Sequence, residues 1–269
     1  MVLLRSLVVA AGMGLAGQCG AVAAENQSQP VATLGDLYRA FETVVFGNEF
    51  GSKKPRAEVL KWEQPIRVAI RAYDDVAIIH DNNITEIAFR QIPVDNFHFE
   101  VAKKHLQTLS QLTDLKLEDY AGSGQEPNLT INFVPRIHMT NPVLVYHEDV
   151  GARQLAAQNG CFFVIWKNQK TRAIDRAVIV ANTDRDEKGI SHCVLEELVQ
   201  TLGLPNDNNV KWLSIFSDHH QITELSPADR IIVKTLYDPE IRSGMGKKEV
   251  LRKALGIIKA LSKEKTGID

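Results

Sequence analysis

The chain has 269 residues, of which 44% are hydrophobic and 24% charged, and its formal net charge is −2. That much apolar content supports one substantial core, and the lack of a basic excess argues against a nucleic-acid binder. No stretch approaches the ~20 apolar residues of a membrane helix, so no transmembrane segment is expected.

The first two dozen residues read as a targeting signal. Arg5 supplies a positive charge, Leu7 to Ala16 form a short apolar run, and Ala21-Val22-Ala23-Ala24 offers small residues for cleavage. This is the layout of a secretory signal peptide. Residues 1–24 are expected to be removed and the mature chain exported, with the periplasm as its compartment. Cys19 offers lipid attachment as an alternative, although Gln18 stands where such a site calls for a small residue. Export leaves Cys161 and Cys193, an even count in an oxidising compartment. A disulfide is the favoured reading and two buried free thiols the alternative. The bridge would close a loop of ~30 residues and contribute ~3 kcal/mol.

Residues 25–32 are polar, contain a proline and read as a leader. Leu34 to Phe46 carries apolar residues at helical spacing and ends at Gly47. Residues 51–55 form a turn. Ile66 to Arg71 alternates apolar and charged residues, the period of a half-buried strand. Phe97 to Leu115 reads as an amphipathic helix, and Asn128 to Val134 as a strand. Two more strands, Phe162–Trp166 and Ala177–Ala181, flank the charged stretch Lys167 to Arg176. Ser191 to Leu202 is a helix stopped by Gly203 and Pro205. Ser226 caps a further helix through Tyr237, with Asp229 in its first turn. Lys247 to Lys263 is the last helix, with Val250, Ala254, Ile257, Ile258 and Leu261 on one side and a basic face opposite. A solvated face is the plainer reading of those charges; contact with an anionic membrane or partner is the alternative. The order predicts an α+β fold with a mixed sheet: leader and helix over 25–60, a principal domain over 61–246, and a basic amphipathic helix over 247–269.

The stretch Glu196-Glu197-Leu198-Val199-Gln200-Thr201-Leu202-Gly203-Leu204-Pro205-Asn206-Asp207 carries the chemistry. A zinc-hydrolase helix places two ligands at i and i+4 on one face, with a glutamate after the first ligand as general base. A glycine three residues beyond the second ligand turns the chain so that a third ligand returns to the metal. Here Glu196, Gln200 and Asn206 hold the three ligand positions, Glu197 the base position and Gly203 the turn. The pattern is similar to the long zincin motif with all three histidines replaced. Ser214-Ile215-Phe216 falls where metzincin proteases place a methionine turn, and Leu225 to Tyr237 resembles their closing helix.

These elements, with Trp62 to Ile70 and Leu236-Tyr237-Asp238-Pro239 ending near Gly244-Met245, resemble domain-of-unknown-function family 2927. The resemblance covers most of residues 60–246. It implies an exported bacterial protein with a zincin-like, metzincin-related fold, in which Gly203, Asp207, Phe216 and Tyr237 are structural.

Carboxamides are poorer metal donors than imidazoles, so one carboxylate and two amides should hold zinc weakly. Such a set suits a harder divalent metal better, or Gln200, Asn206 and Glu196 form a closed polar network. His192, one turn before Glu196, could complete a metal pair, and His219 or His220 could fold back. The plainer reading of each is a packing or solvated residue. The helix is apolar around most of its circumference, so it is expected to be buried, and its carboxylates to have specific partners.

Two functions remain open. One is a non-catalytic relative of metalloproteases that binds an extended peptide or envelope protein, by strand addition along an edge strand at Ala173 to Ala181. The other is a metal-dependent hydrolase, a peptidase, with Glu197 as base. The absence of all three imidazoles favours the first.

Overall fold

The computed structural model describes residues 31–47, 56–80, 83–120, 124–145 and 160–266. The signal segment, with Arg5 and Cys19, the first residues of the leader and the turn at 51–55 lie outside them. Helix α1 (Leu34–Phe46) matches its expected span and starts at Thr33, whose hydroxyl accepts from Asp36 N–H while the Asp36 carboxylate accepts from Thr33 N–H. Strands β1 (Ile66–His80) and β2 (Asn83–Ile92) follow, then α2 (Asn96–Thr113), β3 (Leu117–Asp119), β4 (Leu129–Val134), β5 (Cys161–Lys167) and β6 (Ile174–Asn182). Three helices complete the fold: α3 (Glu187–Thr201), α4 (Pro227–Tyr237) and α5 (Lys247–Thr266). Short helical turns at Arg136–His138 and Pro142–Val145 lie between β4 and β5.

The strands form one mixed sheet in the order β2-β1-β4-β6-β5. β1, β4 and β6 run parallel, while β2 and β5 pair antiparallel at the two ends. Val68 pairs with Leu129 on one side and with Asp119 of β3 on the other. Side-chain alternation sorts the sheet into two faces. Ile131, Phe133, Ala177, Ile179, Cys161 and Phe163 join the main core with the buried faces of the helices. Val178, Val180, Phe162 and Val134 form a smaller cluster on the opposite face, closed by Met139 and Leu144. The fold is therefore α+β, with its long helices packed on one side of a mixed sheet. α1 and α5, expected as terminal extensions, contribute Leu37, Phe41, Val250, Ala254 and Ile258 to that same core.

Two readings of the strands are corrected. β1 extends nine residues beyond Arg71, because Asp74-Asp75 interrupts the alternation without interrupting the hairpin with β2. The strand expected at an edge, Ala173 to Ala181, is internal: β6 is paired on both sides, by β4 and by β5. The continuous apolar run Ala177-Val178-Ile179-Val180-Ala181 is the mark of a strand covered on both faces, which an edge strand seldom shows. The edge beside it is β5.

Candidate functional site

α3 begins at Asp186, whose side chain accepts from Gly189 N–H at 2.7 Å. Between Gly189 and Thr201 only Ser191 and Glu196 are incompletely buried, so the helix is enclosed around its circumference as its composition implied. Residues four apart share a face, which places His192, Glu196 and Gln200 in one stripe and Cys193 with Glu197 in the next. Cys193 forms the disulfide to Cys161, with a Cα–Cα distance of 6.1 Å, and ties α3 to edge strand β5. Glu197, the residue in the general-base position, is 6% exposed.

Carbonyls at the end of α3 lack intrahelical partners and are capped by distant side chains. The Trp62 indole N–H donates to Thr201 O at 2.9 Å, and the Tyr237 hydroxyl donates to Leu202 O at 2.9 Å. The same hydroxyl accepts from Trp62 N–H at 3.2 Å, and burial pushes its pKa well above the usual phenol range. Gly203 then turns the chain with φ of 108°, and a Cβ there would stand 1.9 Å from Leu60 O. Its structural role, and that of Tyr237, follow from these contacts.

Beyond the turn, the two carboxamides of the motif diverge. Gln200 Nε2 donates to Asp207 Oδ1 at 3.1 Å. Asn206, 4% exposed, points its amide at α1: Nδ2 donates to Val44 O at 3.0 Å and its backbone N–H to the same carbonyl at 3.3 Å. Asn206, expected as the third ligand, thus caps one C-terminal carbonyl of α1, that of Val44. The next residue, Asp207, expected as structural, turns toward α3. Ligand-type oxygens of Glu196, Asp207 and Asp218 lie within 4.8 Å of one another. Asp218 was not singled out by the spacing argument, because the adjacent His219-His220 pair drew attention as ligands. His219 is exposed, and His220 N–H donates to Ser217 O.

His192 is 7% exposed and bridges α3 to the following loop. Its Nδ1 lies 2.9 Å from Ile222 O, and its Nε2 lies 3.5 Å from Glu196 Oε2. A carbonyl can only accept, so Nδ1 carries the hydrogen. Burial holds the imidazole pKa below its ordinary value, against the pull of that hydrogen bond.

The loop between Asp207 and Ser226 is held by one buried carboxylate. Asp229 Oδ1 accepts from the Ser214 hydroxyl at 2.6 Å, and Oδ2 accepts from Ile215 N–H at 3.1 Å and Ser226 N–H at 3.0 Å. Burial pushes its pKa up, and these donors oppose that rise. Phe216 is buried in the turn so formed, its N–H donating to the Ser214 hydroxyl at 3.1 Å. The same loop walls an apolar groove of about 590 Å³, lined among others by Leu34, Leu37, Trp212, Leu213, Ile222 and Ile231. Sequence reasoning missed the groove; the one available signal was the number of apolar residues in the loop, Val210, Trp212, Leu213 and Ile222 among them.

Among the described residues no helix is long and apolar enough to cross a membrane. No curated protein matches the chain, and no solved structure matches it. A family model does match, over residues 35–254, so every long helix from α1 onward falls within or overlaps it, and the chain belongs to the family described as protein of unknown function (DUF2927).

Proposed function

We propose that this chain is an exported, zincin-like protein that binds a peptide or protein segment without cleaving it. The carrying observation is the groove of about 590 Å³ walled by α1, α4 and the loop that follows the motif helix, whose walls are almost wholly apolar. A concave apolar pocket with a few polar groups at its margin is the usual form of a binding site. Its position supports a side-chain-recognition role: Trp212 and Leu213 lie between Asp207 and Asp218, so the loop that walls the groove also borders the polar centre on α3. The motif explains the loss of hydrolysis. None of its three ligand positions carries a histidine, and Asn206 faces Val44. The zincin relationship rests on the spacing from Glu196 to Asn206, the Ser214–Phe216 turn and the closing helix α4. Export rests on the signal-like residues 1–24 and agrees with the Cys161–Cys193 bridge.

The test is capture of peptides from a displayed random library by the full chain, followed by mass spectrometry of the captured peptide. Intact peptides with an apolar anchor residue, lost on Leu213→Asp, are expected. Leu213 is 40% exposed, so that change should leave the fold in place. Capture unchanged by Leu213→Asp, or no capture at all, would overturn the reading. Cleaved peptides whose formation stops in Glu197→Gln would establish the hydrolase instead.

A further inference from the structure

We propose that the outer edge of β2 pairs with the same edge of a second copy of this chain, antiparallel and centred on Ala88, so that two copies share one continuous sheet. The inference goes beyond the proposed function and does not depend on it.

β2 ends the sheet: among the described residues it pairs with β1 alone. An open edge presents a row of unpaired backbone donors and acceptors, and natural sheets guard such edges with proline, lysine, bulges or very short strands. β2 carries none of these along its outer stretch. It spans 10 residues without proline or lysine, and the irregularity in its pairing, between Ile78 and Ile79, lies at the hairpin end. Ile87, in the middle of the edge, is 68% exposed. Pro93 stops the strand.

The strand is complementary to itself in one register. In an antiparallel ladder, alternate residues turn their backbone groups to opposite neighbours. Each residue therefore meets one of its own parity, and the twofold axis passes through a single residue position. Centred on Ala88, the exposed Glu86 of each copy faces the exposed Arg90 of the other, and Ile87 faces Phe89. The ladder then runs over residues 84–92 of both copies, as far as Pro93. Centring on Glu86 or on Arg90 sets like charges opposite one another. Centring on Ile87 or Phe89 sets each charge against an apolar residue. Opposite charges and aromatic–aliphatic pairs stabilise a cross-strand contact, and like charges oppose it. Charge and apolar pattern thus select the same register, and symmetry makes each contact twice.

Opposed residues of an antiparallel pair point to the same face. Phe89 packs against the smaller cluster, on the face away from the long helices. The two copies of Ile87 and Phe89 form one apolar row there, which covers Ile87. The helix layers of both copies lie together on the other side.

The experiment follows the full chain by sedimentation equilibrium over a wide range of concentration. A reversible monomer–dimer equilibrium is expected. Glu86→Arg sets arginines opposite one another at both contacts, and Arg90→Glu sets glutamates. Each should weaken self-association about tenfold or more. An equimolar mixture of the two variants should recover dimer, because every contact between them is then complementary. Both positions are exposed, so neither change should disturb the fold. Ala88→Cys should form an intermolecular disulfide across the twofold axis, identified by peptide mass spectrometry, since directly opposed Cα atoms stand about 4.5–5.5 Å apart. Gln91→Cys, about 20 Å from its counterpart, should not. Monomer at every concentration would overturn the proposal and leave the edge to an extended segment of another protein. Dimers that survive both single changes, or a mixture that stays monomeric, would overturn the register, as would equal cross-linking at positions 88 and 91.

Discussion

Gly203 and Asn206 stand three residues apart in the same motif, and structural chemistry accounts for both. At Gly203 the backbone takes φ of 108°, and any Cβ would collide with Leu60 O at 1.9 Å. Gly203→Ala therefore meets a strained dihedral and a backbone clash together, and should cost about 3 kcal/mol or more. Urea denaturation would show this as a lower midpoint at unchanged slope; a midpoint equal to wild type would refute it. Asn206 spends its amide and its N–H on Val44 O. Asn206→Ala removes one of the two donors to Val44 O and should cost about 1 kcal/mol, the usual net worth of a hydrogen bond. Wild-type stability in that variant would refute the capping role.

At the scale of elements, the disulfide joins the edge of the sheet to the helix that carries the site. Cys161 and Cys193 are 32 residues apart, and closing a loop of that length stabilises by about 3–4 kcal/mol in the chain-entropy picture. The double variant Cys161→Ala, Cys193→Ala should lose about that much in equilibrium unfolding. A larger effect on the groove than on the whole fold would appear as faster hydrogen exchange confined to α3 and the 207–226 loop. The pairing was legible in the sequence from an expected export signal and an even count, as were α1, from apolar residues at helical spacing, and α4, whose cap Ser226 and first-turn Asp229 mark its start. α3 was legible as a buried helix. The β1–β2 hairpin was not, since Asp74-Asp75 masks its period, and β6 was misplaced because pairing partners are a property of topology that local pattern does not carry. The site was half legible for a related reason. Spacing on a helix predicts which side chains share a face, and did so for His192, Glu196 and Gln200. It says nothing about where a loop returns, and so neither the approach of Asp207 and Asp218 to Glu196 nor the turn of Asn206 toward Val44 was foreseen.

For the whole molecule, buried histidines contribute to the response to acid. His105 on α2 is 2% exposed, lies 3.1 Å from the Ser191 hydroxyl on α3, and has its pKa pulled down to about 4, first by burial and then by Lys104. In the unfolded chain it titrates near 6.5. Between those values the unfolded chain binds a proton that the folded protein refuses, so stability is full above pH 6.5 and falls as pH drops toward 4. A shift of that size corresponds to a loss of about 3 kcal/mol at the acid end. His192, depressed for the same reason, adds to the loss in the same direction. The interface at stake is the one between α2 and α3, so acid should loosen the site helix early. His105→Gln retains a partner for Ser191 without a titrating ring, and its stability measured against pH should be flatter between 6.5 and 4 than that of wild type. If the two profiles run parallel over that range, His105 is not the group that couples protons to the fold.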